Sequence, residues 1–231
     1  MKKPVFYTEF SHFIGIAIAA TGTAMTAWGD FGISMVVGPA FVLHLKMSQI
    51  FPWFTFGVAQ YILQASVLIL MMCLLRRVKL TYFLSFLTAV LSGLILDGVT
   101  GLLSLLPEKH LWQRILVYVC GDVAVCAGIA MVFHTYFPPE AYEMFVMELS
   151  KKLKIKLHTL KTIYDCTSMA VAIAMSLLLL GGLQGVGIGS VVCALLNGSL
   201  INLFSRLYDK IWVFEDRFPL RKKLTESEEI L

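Results

Sequence analysis

The chain has 231 residues, of which 58% are hydrophobic and 15% are charged, against about 45–50% and 25% in ordinary soluble domains. A soluble fold of this length cannot bury so much apolar surface, and the basic residues behind the net charge of +4 lie between apolar stretches rather than on one basic face. The composition excludes a soluble domain and a nucleic-acid-binding protein, and it indicates an all-α polytopic membrane protein.

Six apolar runs follow one another along the chain, each with about the 20 residues that a helix needs to cross a bilayer. The first run, after Lys2 and Lys3, could also be a signal peptide, but it continues to Trp28 and has a counterpart later in the chain. We therefore predict six transmembrane helices in a single membrane domain. They cover about residues 10–28, 52–75, 80–106, 111–135, 159–181 and 183–205.

Two stretches between the predicted spans are expected not to cross the membrane. The first, Asp30–Pro52, carries Gly38 and Pro39 among apolar residues, and this composition predicts a broken helix that re-enters the bilayer. The second, Pro138–His158, has a proline at its start, acidic residues early and lysines late. That order suits the helix dipole, so it predicts an amphipathic helix.

The two halves of the sequence resemble each other. Residues 15–25 (GIAIAATGTAM) match residues 121–131 (GDVAVCAGIAM), and residues 91–103 match residues 191–203, where Asp97-Gly98 falls on Asn197-Gly198. Three spans per half would insert the second copy upside down, as in many secondary transporters. We predict two inverted three-helix repeats, about 8–107 and 111–207.

The basic residues set the predicted orientation, because cytoplasmic loops carry the excess of Lys and Arg. With six spans, all the Lys and Arg residues except Lys46, Lys109 and Arg114 fall on the side of the termini. Both termini, including a short tail over about 208–231, are therefore expected to be cytoplasmic.

The run from Pro138 through Phe204 resembles the YczE/YyaS/YitT family of bacterial integral membrane proteins. The resemblance rests on Leu149-Ser150-Lys151, on Lys161 with Asp165, and on residues 185–190 (GVGIGS) followed by Ala194 and Gly198. It implies a bacterial cell membrane location, and it brings no settled substrate or reaction.

The first half fits that resemblance less well. Members of the family tend to carry an acidic turn after the first helix, whereas residues 33–41 (ISMVVGPAF) have no acidic residue. The residues after Leu207 are too few for the soluble domain of the larger members, so the chain resembles the short, YczE-type branch.

Three polar residues are the first candidates for a central site. An Asp at a helix centre costs about 2.5–3.5 kcal/mol on insertion scales, so each such residue invites a functional explanation. Asp122 lies roughly 16 Å into its helix, close to the midplane. Asp97 and Asn197 hold matching positions in the two halves. They could line a site between repeats that binds a solute, a proton or a cation, or they could be interhelical hydrogen-bonding groups.

Four more residues are candidates on predicted helices. Asp165 lies one turn after Lys161, and a structural ion pair is the leading interpretation, with a functional role left open by the family pattern. Gln60 and Gln64 are one turn apart and predicted to face the same way, as residues of a pore or of a packed interface would.

Glycines and cysteines have simpler interpretations. The glycine-rich run lacks the strand and Lys-Ser/Thr of a phosphate-binding loop, so we predict close helix packing. All five cysteines lie in apolar segments, and no His or Cys spacing indicates a metal or cofactor. The predicted packing glycines are Gly98, Gly185, Gly187, Gly189 and Gly198.

Two functions remain open from the sequence. The first is a small transporter or permease that moves a small solute with a proton or cation, and it is compatible with a homodimer in the lipid bilayer. The second is a non-transporting protein that holds a cytoplasmic partner through its amphipathic helix and an interfacial helix in residues 204–231. No nucleophile and base occur at a recognisable spacing, so we do not expect an enzyme.

Overall fold

The computed structural model describes residues 3–106 and 110–218, and these residues form eight α-helices and two short strands. Six helices are long and apolar enough to cross a membrane, which confirms an all-α membrane fold of six candidate spans. Lys109 and most of the predicted tail lie outside the described residues. In chain order the elements are β1 (Val5–Tyr7), α1 (Thr8–Gly29), α2 (Gly38–Met47), α3 (Phe56–Leu75), α4 (Leu80–Ser104), α5 (Leu111–Phe133), α6 (Ala141–Leu153), α7 (Leu157–Leu180), α8 (Ile188–Ile211) and β2 (Val213–Glu215).

The sixth span differs most from its predicted bounds. The helix before it ends at Gly181, whose φ of 71° is left-handed, and Gly185 has a φ of 75° in the connecting loop. These conformations suit glycine and delay the start of α8 to Ile188. At the other end α8 continues to Ile211 and is followed by β2. The prediction of a separate interfacial helix in residues 204–231 is therefore wrong over the described part of that range.

The centre of the fold is an antiparallel contact between α1 and α5. A Cβ added at Gly15 would lie 2.8 Å from the carbonyl oxygen of Gly128, and one added at Gly121 would lie 2.8 Å from that of Gly22. Two helical turns beyond Gly22, Arg114 Nε of α5 donates to the carbonyl oxygen of Gly29 of α1 at 2.9 Å. Small residues let the two backbones approach closely, as in other membrane helix pairs.

The two short helices enter the bundle from opposite faces. At the C-terminal end of α2, His44 Nδ1 bonds to the carbonyl oxygen of Phe54, just before α3 begins, at 2.9 Å. At the C-terminal end of α6, Lys152 Nζ donates to the carbonyl oxygen of Leu74, where α3 ends, at 2.6 Å. The N-terminal ends of both helices therefore point into the interior.

The last two helices of each half pack differently. In the closed pair, α3 and α4, Tyr61 Oη donates to the carbonyl oxygen of Val90 at 3.2 Å and the ring covers Gly93. In the open pair, α7 packs against α2 and α6 whereas α8 packs against α5. Contact between α7 and α8 is at most marginal over the described residues.

The first and last described elements are joined. β1 pairs in parallel with β2, with Val5 opposite Val213. Glu9, at the start of α1, accepts hydrogen bonds from the backbone N–H groups of Arg217 and Phe218 at 3.0–3.2 Å. Both described ends of the chain thus lie at the same face of the bundle.

Candidate functional site

A cavity with acidic and other polar side chains in a largely apolar wall lies between the N-terminal ends of α2 and α6. It has two lobes with several wall residues in common. These include Ser34 and Val36, just before α2, and Tyr142, in the first turn of α6. The lobe toward the open pair has a volume of about 160 Å³. Its lining includes Asp165 and Asn197, which lie near the middle of α7 and α8. The cavity is therefore central with respect to the long helices.

Glu140 is the best-connected carboxylate of the cavity. Gln60 Nε2 donates to its Oε2 at 3.5 Å, and Gln64 Nε2 donates to the same oxygen. Gln64 also accepts from the backbone N–H of Tyr142 at 3.3 Å. Burial raises the pKa of Glu140 to about 7, although a hydrogen bond from Ser92 opposes the rise. The two glutamines that the sequence placed on one face thus meet a common carboxylate.

The segment before α6 is held inside the bundle by hydroxyl groups of α4. Thr88 Oγ1 donates to the carbonyl oxygen of Pro138 at 3.2 Å, and Ser85 Oγ donates to that of Pro139. Proline lacks an N–H, so only these carbonyls require partners at depth. The hydrogen bonds fix where α6 begins and therefore where Glu140 lies.

Glu143 lies one turn further along α6, on the side of α7. Its Oε1 is buried and has no hydrogen-bonding partner among the described residues. Burial raises the pKa of Glu143, the Lys161 ammonium opposes the rise, and the Asp165 carboxylate adds to it. Glu143, Lys161 and Asp165 therefore form one electrostatic cluster across the cavity.

The ion pair predicted between Lys161 and Asp165 does not form. The four salt bridges of the described residues lie elsewhere, and the buried Oδ1 of Asp165 has no partner. A Lys that precedes an acid by four residues is the less favourable order on a helix. Lys161 lines the cavity as well, and its charge acts on Glu143 as well as on Asp165.

The other predicted trio is not brought together. Asp97 accepts hydrogen bonds from Thr55 Oγ1 at 2.6 Å and from the backbone N–H of Gly57 at 2.7 Å, so it caps the start of α3. Asp122 lies between α5 and α8, where Cys193 Sγ donates to it at 3.1 Å. Depth along a helix predicted burial for both acids but not the neighbour that each one faces.

Asn197 alone of that trio lines the cavity. Its side-chain oxygen is buried without a hydrogen-bonding partner in the described structure. A polar atom left unpaired in this way is costly unless a ligand or water completes it. Asn197 is thus available to a molecule in the cavity.

The predicted packing glycines divide into two groups. A Cβ at Gly187 or Gly189 would collide with the backbone of Phe31, and one at Gly185 would meet the ring of Phe41. These three glycines let the start of α8 pack closely. Around Gly98 and Gly198 no described atom of a neighbouring element lies within 4 Å of such a Cβ. The prediction that these two glycines pack closely against another helix is therefore wrong within one chain.

The profile of a family of unknown function (DUF6198) matches residues 6–206. The chain belongs to this family. No curated protein and no solved structure matches it. The finer resemblance to the YczE-type branch stays a prediction.

The sequence did not single out Glu140, Tyr142 and Glu143 as site residues. Acids near the start of a helix are expected from its dipole whether they are exposed or buried, so the sequence pattern gave no sign that these acids are buried. The signal that could have found them is Pro138-Pro139 before the helix, because such a start suits a segment that enters protein interior.

In the described structure no three His, Cys, Asp or Glu side chains form a metal-binding group.

Proposed function

We propose that this protein is a membrane carrier that moves a small cationic solute through the central cavity, coupled to protons on Glu140, Glu143 and Asp165. The observation that carries the proposal is the cavity itself, which is lined by three carboxylates and only one lysine over the described residues. A site with more acids than bases favours a positively charged solute.

Proton coupling follows from the same geometry. Glu140 is held by glutamine amides, which bind a carboxylate or a carboxylic acid, and its raised pKa of about 7 lets it change charge near neutral pH. Glu143 and Asp165 each retain a buried oxygen without a partner among the described residues. A bound cation would therefore compete with protons for these groups, and the release of two protons for each monovalent cation would move net charge across the membrane.

An inverted repeat would supply the alternating motion. The contacts of Gly15 with Gly128 and of Gly22 with Gly121 are the reciprocal contacts that a two-fold axis between α1 and α5 requires. The entry of α2 and α6 from opposite faces agrees with the same axis. We place the face that carries both described ends in the cytoplasm, because it has most of the Lys and Arg residues.

The open pair is the proposed route of access. Thr162, Ala194 and Gly198 line the cavity and are themselves exposed, so the lobe opens between α7 and α8. Rocking of α7 and α8 against the α1–α5 core would open this lobe and close it again.

The test is electrical recording from protein reconstituted in liposomes, with ammonium, methylammonium, guanidinium and tetramethylammonium as probes. We expect pH-dependent transient currents for at least one probe, and at least a tenfold loss in Glu140→Gln and Asp165→Asn. Glu215→Gln, which removes an exposed carboxylate outside the cavity, is the matched control and should leave the currents unchanged. Background currents with every probe, or full currents in both cavity variants, would contradict the proposal.

A further inference from the structure

A second pocket lies far from the cavity, where the loop between α3 and α4 meets the C-terminal end of α6. It has a volume of about 430 Å³, and its wall carries Arg77, Lys79, Lys151 and Lys152 around the single acid Glu148. The pocket is on the face rich in Lys and Arg. Its charge is opposite to that of the central cavity.

Glu148 holds two of the cations in place. Lys79 Nζ lies 3.1 Å from its Oε2, and Lys151 Nζ lies 3.1 Å from its Oε1. Burial would raise the pKa of Glu148, but the hydrogen bonds from Lys79 and Lys151 lower it. The carboxylate therefore stays ionised at neutral pH and fixes two ammonium groups at the pocket wall.

Among the described residues, no acid pairs with the other two cations. Arg77 makes no ion pair over the described ranges, and Lys152 Nζ donates to the carbonyl oxygen of Leu74. A guanidinium beside ammonium groups suits a phosphate, because its planar fork donates two parallel hydrogen bonds. The pocket thus has an excess of positive charge and donors of the right kind.

Apolar side chains flank the basic wall along the chain, and we call them the apolar rim. Leu74, Val78 and Leu80 are about half exposed, at 46%, 51% and 50%. These residues neighbour the basic wall in the chain and offer a surface for acyl chains. A free phosphate would make no use of them.

We infer that this pocket binds the phosphate group of an anionic phospholipid, with the headgroup against Arg77, Lys79 and Lys152 and the chains along the apolar rim. Basic pockets between helices on the positive side of a membrane protein are suited to such headgroups. The lipid would hold the C-terminal end of α6 against α3, at the opposite end of the helix from Glu140. The inference does not depend on transport.

The test is native mass spectrometry of the purified full chain with dioleoyl phosphatidylglycerol, and with dioleoyl phosphatidylcholine as the neutral lipid of equal chain length. We expect retention of phosphatidylglycerol and about a fivefold loss of affinity for each basic side chain removed in Arg77→Gln and Lys152→Gln. Lys156→Gln removes a charge from a nearby exposed site outside the pocket and should bind as the native chain does. Arg77→Lys keeps the charge but loses the planar fork, so its affinity should fall between those of Arg77→Gln and the native chain.

Inorganic phosphate distinguishes the two sources of the ligand. The native chain could bind phosphate, lose that binding in Arg77→Gln, and show no preference for phosphatidylglycerol. This result would assign the site to a soluble anion and overturn the inference of a bound lipid. Equal phosphatidylglycerol binding by native chain and pocket variants, or an equal loss in Lys156→Gln, would overturn the site itself. Because Arg77 and Lys152 are exposed, monodisperse elution should show that all variants fold.

Discussion

The closed pair and the open pair differ in what their polar residues contact. In the closed pair, Asp97 of α4 bonds to the start of α3 through two short contacts. In the open pair, Asn197 of α8, which the sequence comparison aligned with Asp97, lines a cavity, and its side-chain oxygen has no partner among the described residues. The first of these polar residues therefore stabilises a helix contact, and the second leaves a polar group available. The comparison assigns the scaffold to α3 and α4 and the adaptable wall to α7 and α8.

The largest expected effect separates Asp97 from Asn197. Asp97→Ala removes two charge-assisted hydrogen bonds and leaves the start of α3 unsatisfied, so we expect a loss of about 3 kcal/mol in the free energy of unfolding. Asn197→Ala removes no hydrogen bond of the side-chain oxygen and should change it by less than about 0.5 kcal/mol. Thermal unfolding in detergent measures both. Equal losses would remove the distinction between the two pairs.

A smaller effect is expected from glycine substitutions in the same helices. Gly93→Ala places a Cβ against the ring of Tyr61, which must move and lose its bond to Val90, so we expect a loss of about 2 kcal/mol. Gly198→Ala meets no described atom within 4 Å and gains helix propensity, by about 0.5–1 kcal/mol. The same unfolding measurement applies. A destabilised Gly198→Ala would indicate that a second chain or a lipid packs there.

The last comparison concerns pH and Glu140, the residue just before α6. The pKa of Glu140 is raised from 4.5 to about 7, so the folded state binds a proton that the unfolded state has released. Its contribution to stability is fully present below pH 4.5 and is lost as the pH rises to about 7. We expect the unfolding temperature to fall over this window.

Glu140→Gln is the variant that isolates this contribution. It should flatten the dependence of the unfolding temperature on pH between 4.5 and 7, whereas Glu215→Gln should leave the slope of the native chain. An unchanged slope in Glu140→Gln would place the titrating group elsewhere and would weaken the argument for a proton on the α3 side of the cavity.

The sequence predicted the spans well because a run of about 20 apolar residues has few alternatives to a membrane helix. It could not predict which acids would meet. Asp97 lies near the end of α4, beside the start of α3, whereas Asp122 and Asn197 lie near the middle of their helices. The partners of all three depend on the rotation of each helix and on its neighbours. Neither property is encoded in the residues of one helix.

The same limit explains the acids of α6. Glu140 and Glu143 conform to the ordinary pattern of an amphipathic helix, and only the hydrogen bonds of Ser85 and Thr88 to the preceding prolines show that the helix starts at depth. Gln60 and Gln64 were easier, since spacing by one turn fixes two side chains on one face whatever the helix contacts.

The pairing of the first strand with the last sets an order on biosynthesis. Glu9 leaves the ribosome 208 residues before the amide of Arg217 that it binds, and β1 likewise waits for Val213. The bundle can insert helix by helix, but its two ends are fastened only when the final residues emerge. A nascent chain that stalls before residue 213 would contain all six spans but could not pair β1 with β2. This pairing is therefore one of the last contacts to form during assembly.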